Sequence, residues 1–173
     1  MQEKGGKYMK IAIIYISLTG NTKMLAEKIK ETVSKEDIIY IGEPKDNIDA
    51  DLYFVGSWTD KGMCCKEIAE FLKKIENKKI AYFGTAGFGG DTKYYYTIFN
   101  RIKSIIPESN NIIGYFFCQG KMPIQVRERY VSLIKEHPDD KNLQVSVENF
   151  DRALSHPNEK DLEDVKEWAG SIL

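Results

Sequence analysis

The reading of one stretch, Tyr15-Ile16-Ser17-Leu18-Thr19-Gly20-Asn21-Thr22-Lys23, decides the fold. Upstream of it runs Lys10-Ile-Ala-Ile-Ile-Tyr-Ile16, almost wholly apolar and rich in β-branched side chains. A strand buried on both faces of a parallel sheet reads this way. Downstream, Leu25, Ala26, Ile29 and Val33 recur at helical spacing, so residues 22–33 are expected as an amphipathic helix. A hydroxyl-rich turn thus joins a central strand to a helix N-terminus. The first-turn amides of a helix lack intrahelical partners and lie at the positive end of its dipole. Ser17, Thr19 and Thr22 add hydroxyl donors, and Gly20 lets the backbone come close to a ligand. No Lys or Arg falls between Ser17 and Thr22. The turn suits a phosphate monoester held by neutral donors; the alternative is a capped βα turn that binds nothing.

Competing phosphate motifs are absent. No Gly-x-Gly-x-x-Gly follows the strand, which disfavours a dinucleotide, and no Gly-x-x-x-x-Gly-Lys-Ser/Thr is present, which disfavours ATP or GTP. At 173 residues the chain is long enough for one well-buried core. Residues 9–173 are expected as a single domain and residues 1–8, charged and glycine-containing with no apolar segment, as a disordered lead-in rather than a secretory signal. The net charge of −1, with no basic tail, argues against nucleic acid, and the apolar runs are too short for a membrane span. Cys64, Cys65 and Cys118 form neither a disulfide framework nor a metal-ligand pattern. A monomer in a reducing cytoplasm is the expectation.

Further strands are expected at residues 37–41, 52–55, 79–83 and 111–117, and helices at 63–75, 92–106, 124–136 and 158–173. Residues 137–157 read as irregular. Strand alternating with helix five times means a doubly wound α/β fold with a parallel sheet. Three unusual loops then fall at strand carboxyl ends, where ligands of such sheets bind: the hydroxyl turn, Gly56-Ser57-Trp58-Thr59-Asp60-Lys61-Gly62, and Gly84-Thr85-Ala86-Gly87-Phe88-Gly89-Gly90-Asp91. Trp58 is out of place in a polar turn and reads as either a lid on the sheet edge or a stacking surface. The four glycines of the third loop let backbone approach a planar ligand, or simply make a flexible turn before a helix capped by Asp91 or Thr92. Cys64-Cys65 opens a helix near this site, where a reactive thiol is one reading and packing the other. His137 and His156 precede prolines as turn residues. No nucleophile–base pair or carboxylate dyad is evident, so the chemistry would belong to a cofactor.

Ser17-Leu18-Thr19-Gly20-Asn21-Thr22 resembles the Ser/Thr-x-Thr-Gly-x-Thr phosphate loop of flavodoxins, the small FMN-carrying electron carriers. The resemblance extends over nearly the whole chain. It implies a flavodoxin-like three-layer sandwich with a five-stranded parallel sheet of order 2-1-3-4-5 and FMN as cofactor. Ser17, Leu18, Thr19, Gly20, Asn21 and Thr22 would hold the phosphate. Ser57, Trp58, Thr59 and Asp60 would border the ring system, with Trp58 stacked on the isoalloxazine. Thr85, Ala86, Gly87 and Phe88 would offer main-chain amides to its pyrimidine edge. Phe88 or one of Tyr94, Tyr95 and Tyr96 would cover the second face, Tyr95 being the one on its helix's apolar stripe.

Three departures accompany the resemblance. The family usually has a glycine after this aromatic, whose peptide turns its carbonyl to flavin N5–H on reduction. Here Thr59 stands there, and a β-branched residue at positive φ is costly. That hydrogen bond is made elsewhere or not at all, a difference of about 1 kcal/mol, or roughly 40 mV for a one-electron couple. The near-neutral charge contrasts with the acidic surroundings usual in the family, and residues 119–157 are additional. Gly-Ser-Trp-Thr-Asp-Lys-Gly and Phe-Cys-Gln-Gly-Lys-Met are similar to a clostridial subgroup that includes the BilS type, associated with bacterial bilirubin reductase. The resemblance implies an electron-transfer protein between redox partners, a donor and an acceptor reductase. The alternatives are an FMN-dependent NAD(P)H oxidoreductase acting on a small acceptor and a flavodoxin-fold interaction module without redox function.

Overall fold

The computed structural model describes residues 8–173. The expected lead-in lies, but for Tyr8, outside the described residues. Five long strands carry the fold: β1 (Ile11–Ile16), β2 (Ile38–Gly42), β3 (Leu52–Asp60), β5 (Lys79–Ala86) and β6 (Asn111–Gln119), with a two-residue β4 (Met63–Cys64) beside β3. The helices are α1 (Asn21–Thr32), α2 (Lys66–Lys74), α3 (Thr92–Lys103), α4 (Ile124–Glu136), α5 (Lys141–Ala153) and α6 (Glu159–Ile172). The sheet order is β2-β1-β3-β5-β6, all pairings parallel, with β4 antiparallel to β3. This is the expected 2-1-3-4-5 order of long strands, with one short hairpin strand added.

Side chains alternate across a strand, so each central strand feeds two cores. Ile11 and Ile13, Leu52 and Phe54, and Ala81 and Phe83 pack with Leu25 and Ile29 of α1 and Val165 and Ala169 of α6. Ala12 and Ile14, Tyr53 and Val55, and Ile80 and Tyr82 pack with Ile68 and Leu72 of α2 and Ile98 and Ile102 of α3. Helices on both faces force these strands to be apolar throughout, which is why the alternation is invisible in their sequence. Among the described residues no helix is long and apolar enough to cross a membrane.

Four expectations are corrected. The loop expected over 56–62 is strand as far as Asp60, followed by a two-residue turn at Lys61 (φ 49°) and Gly62 (φ 76°) and then β4. Two consecutive positive φ values at a hairpin match the right-handed twist of the strands it joins. Because Met63 and Cys64 pair with Asp60 and Thr59, the following helix begins at Lys66, not at 63. The glycine-rich loop likewise starts later, since Gly84, Thr85 and Ala86 complete β5. Finally, the stretch read as irregular contains α5, capped by Asp140, whose side chain accepts from Asn142 N–H at 2.9 Å. Its buried positions are Asn149, Phe150 and Ala153. An asparagine within the buried stripe broke the apolar pattern that would have announced the helix.

Candidate functional site

The carboxyl ends of β1, β3, β5 and β6 converge on a cleft of about 420 Å³, within the usual range for small-molecule sites. A larger depression of about 530 Å³ lies at the opposite end, among Asp51, Lys78, Lys79 and Ser109. It is an open groove at the amino ends of the strands, and its Lys78 already pairs with Asp49 at 2.6 Å. The convergence of the strand carboxyl ends makes the smaller cleft the candidate site.

Of the residues expected at the site, Leu18, Thr19, Asn21, Trp58, Thr59, Asp60, Thr85, Ala86, Gly87 and Phe88 line the cleft. Ser17, Gly20, Thr22 and Ser57 do not. Thr22 is fully buried and its hydroxyl meets that of Thr85 at 3.1 Å, tying the start of α1 to the end of β5. Ser17 Oγ accepts from Lys23 N–H at 3.2 Å, a cap on the first turn. Ser57 is also fully buried: its Oγ accepts from Cys65 N–H at 2.9 Å and donates to the Trp58 carbonyl at 2.6 Å. It stitches the β3–β4 hairpin from behind, so that Trp58 and Thr59 face the cleft on a rigid ladder. Thr59 keeps an extended backbone opposite Cys64 and escapes the positive φ that would strain it.

At the hydroxyl turn, Gly20 has φ 89° and empty space where a Cβ would stand. Among the described residues the N–H groups of residues 18–22 make no hydrogen bond to the protein. That leaves a run of donors at the N-terminus of α1. Thr19 Oγ1 reaches only the Lys121 carbonyl, at a long 3.4 Å, while Asn21 Nδ2 donates to the same carbonyl at 2.8 Å. Asn21 Oδ1 is buried without a partner among the described residues. A buried acceptor left unmade costs about 1–3 kcal/mol, so the site lacks one donor.

The far wall was missed in the sequence. Gly120, Lys121, Met122 and Pro123, then Val126, Arg129 and Tyr130 of α4, also line the cleft. The segment is anchored by Gly120 N–H on the Ala86 carbonyl (2.9 Å) and Lys121 N–H on the His156 carbonyl (3.0 Å). It also lies at a strand carboxyl end, so the rule that picked out the other loops would have found it. Gly87 accepts its close approach, since a Cβ there would sit 2.4 Å from Met122 Sδ. Among the tyrosines, Tyr94 lines the cleft, Tyr95 stacks on Phe117 at 5.4 Å within the core, and Tyr96 is exposed.

Burial decides the cysteines. Desolvation pushes the Cys64 thiol up to about 12 and raises Cys65 and Cys118 as well, and all three are buried. These are packing residues. Folded protein at pH 8 is expected to resist iodoacetamide at all three, while urea-unfolded protein takes up three equivalents; fast alkylation of the native protein would contradict this. The sign for stability follows from the same shift. An unfolded thiol ionises from about pH 9 while the folded one stays neutral, so the contribution of Cys64 to stability is lost between about pH 9 and pH 12.

The sequence profile of the flavodoxin domain matches residues 12–170, which is nearly the whole described chain. The chain belongs to the flavodoxin family. It is 38% identical over 170 residues to the flavodoxin-like domain-containing protein BilS of Clostridioides difficile, covering 95% of this chain and 97% of that one. Identity to BilS of Clostridium symbiosum is also 38%, over 172 residues, covering 89% and 90% of the two chains. The crystal structure of oxidised flavodoxin 2 from Bacillus cereus covers 92% of this chain and 94% of its own, at 20% identity and a TM-score of 0.55, a likeness of fold. Within this flavodoxin the hydroxyl turn, the aromatic hairpin and the glycine-rich loop meet at one cleft, and α4 adds a further wall.

Proposed function

We propose that this flavodoxin binds FMN in the cleft and carries electrons between redox proteins. The observation that carries the reading is the run of unpartnered amides at residues 18–22, among the described residues, beside a cleft that Trp58, Thr59 and residues 85–88 also line. Each of these groups suits one part of the cofactor. The α1 amides and the Thr19 hydroxyl suit the phosphate. Asn21 Oδ1, buried and unpartnered, suits a ribityl hydroxyl. Trp58 with Tyr94, Phe88, Met122 or Tyr130 suits the ring faces, and Thr85 to Phe88 its pyrimidine edge. When bound, FMN supplies one- and two-electron transfer; the protein positions it and limits water at its faces. The test is titration of the purified chain with FMN and riboflavin, followed by flavin fluorescence. Quenching with FMN is expected, and absence of quenching overturns the reading. Thr19→Ala is expected to weaken FMN about tenfold, since a bond to a charged group contributes about 1.5–3 kcal/mol, and to leave riboflavin unchanged. Equal losses for both would remove Thr19 from the phosphate.

A partner fits the cleft mouth by charge. Lys61, Lys121 and Arg129 line it against a single acid, Asp60, and none of the three cations is in a salt bridge among the described residues. Leu18 (62% exposed) and Phe88 (42%) give the mouth an apolar centre, the usual anatomy of a transient interface. This supports a redox partner with an acidic face. Small oxidants test the field. Oxidation of the reduced holoprotein by ferricyanide, an anion, should slow with rising ionic strength, whereas a cationic cobalt oxidant should speed up. Identical salt slopes would remove the argument. Steady oxidation of NAD(P)H by the protein alone would replace the carrier with the reductase alternative.

A further inference from the structure

Helix α5 does more than brace the fold. Asn149, on its buried face and only 4% exposed, donates from Nδ2 to the Gly87 carbonyl at 2.9 Å. Gln119, at the end of β6, donates from Nε2 to the same carbonyl at 2.9 Å and to Asn149 Oδ1 at 3.1 Å. Two side-chain amides, on separate elements and locked to each other, thus converge on one main-chain oxygen. Gly89 lies directly on Gln119, since a Cβ there would stand 2.6 Å from Gln119 Cβ. The single cis peptide among the described residues is His156–Pro157, so the Gly87–Phe88 peptide is trans. In a planar trans peptide the N–H points opposite to the C=O. With the carbonyl drawn toward Asn149 and Gln119, the Phe88 N–H points away from them, and it makes no hydrogen bond among the described residues. Both residues of this peptide line the cleft.

We infer that α5 is part of the flavin site: Asn149 and Gln119 are positioning residues that fix the Gly87 carbonyl and so aim the Phe88 N–H at the pyrimidine edge of the cofactor. The inference rests on the FMN reading above. It also gives the segment 141–153 a role in tuning the cofactor, because a donor at that edge favours the reduced ring, where negative charge collects. Without the clamp the peptide is free to rotate, and the donor is present only part of the time.

The test compares the full chain with Asn149→Leu, Gln119→Leu and the double variant, with Phe150→Leu as a control. Phe150 is fully buried on the same helix and does not line the cleft. Each protein is titrated with FMN and with riboflavin, and the two-electron midpoint potential of the bound flavin is measured. The expected result is a loss of about fivefold in the double variant, the worth of one hydrogen bond, equal for FMN and riboflavin. The potential should fall along with it. Each single variant keeps one donor on Gly87 and should lose about twofold, which preserves the test if the double variant does not fold. Phe150→Leu should lower thermal stability and leave affinity and potential unchanged. Wild-type affinity and potential in the foldable clamp variants would overturn the inference while leaving the FMN reading intact. So would a potential shift in Phe150→Leu as large as theirs, which would mean a merely bracing helix. Failure of the wild-type chain to bind either flavin would overturn both.

Discussion

Gly56→Ala is expected to lower the unfolding free energy by about 3 kcal/mol or to abolish folding at 37 °C, the upper end for overpacking a core. Gly56 lies in β3, the central strand, between Tyr15 of β1 and Phe83 of β5. The Phe83 ring covers it so closely that a Cβ would stand 2.1 Å from Cε2 and 2.2 Å from Cζ. Those are ring atoms of a fully buried side chain in the core that also holds Ile13, Phe54 and Ala169, and close-packed interiors leave a ring little room to shift. Urea denaturation reads the loss as a lower midpoint at unchanged slope. The double variant Gly56→Ala, Phe83→Leu should recover part of it, because removing the ring removes the clash. Additive losses in that cycle would show that the ring had already moved aside. Gly84 repeats the arrangement one strand over, with a Cβ 2.4 Å from Phe117 Cε1. Rings thus lie over glycines in β3 and β5, two of the strands whose carboxyl ends reach the cleft.

Trp58→Ala is expected to weaken FMN and riboflavin alike by about thirtyfold. Roughly 2 kcal/mol follows from the apolar area a ring face covers on an indole together with the stacking term of about 0.5–1.5 kcal/mol. The equality is the diagnostic part, because the ring that Trp58 would stack on is common to FMN and riboflavin, which differ only in the phosphate. Trp58→Phe should recover most of the affinity. The two-electron potential should rise in Trp58→Ala, since an electron-rich ring against the flavin disfavours added negative charge. Unchanged riboflavin affinity would instead make Trp58 a lid on the sheet edge, as its packing against the α2/α3 core permits.

How much was readable depended on which forces act locally. The β1–α1 turn was legible because its logic is local: an apolar strand, a glycine at positive φ, and hydroxyls at a helix start, all within residues 10–23. The strand order followed from the alternation of elements, since right-handed crossovers leave few arrangements. Trp58 stood out as an aromatic in a polar stretch, and the structure accounts for both features: Thr59 and Asp60 pair with the short β4 beyond the core, while Trp58, opposite Thr85 of β5, lines the cleft. Ser57 and Thr22 read as ligand donors in the sequence, yet their hydroxyls bond Cys65 N–H and Thr85 Oγ1 inside the protein. Nothing in a list of residues distinguishes a hydroxyl aimed at a ligand from one that ties two strands together.

The sequence by itself determined the doubly wound sheet, the family, and the three loops at the strand carboxyl ends, because apolar periodicity and turn chemistry act over a few residues. Only the tertiary structure decided that α4 lines the cleft, that α5 exists as a helix fastened to Gly87 by Asn149, and that the cysteines are buried. Each of these depends on groups brought together from at least 30 positions apart, as Gln119 with Asn149 and Asn149 with Gly87 are, or on burial created by them. A contact across such a distance leaves no period in the sequence, and a buried asparagine whose partner is a backbone carbonyl looks, in one dimension, like any surface residue.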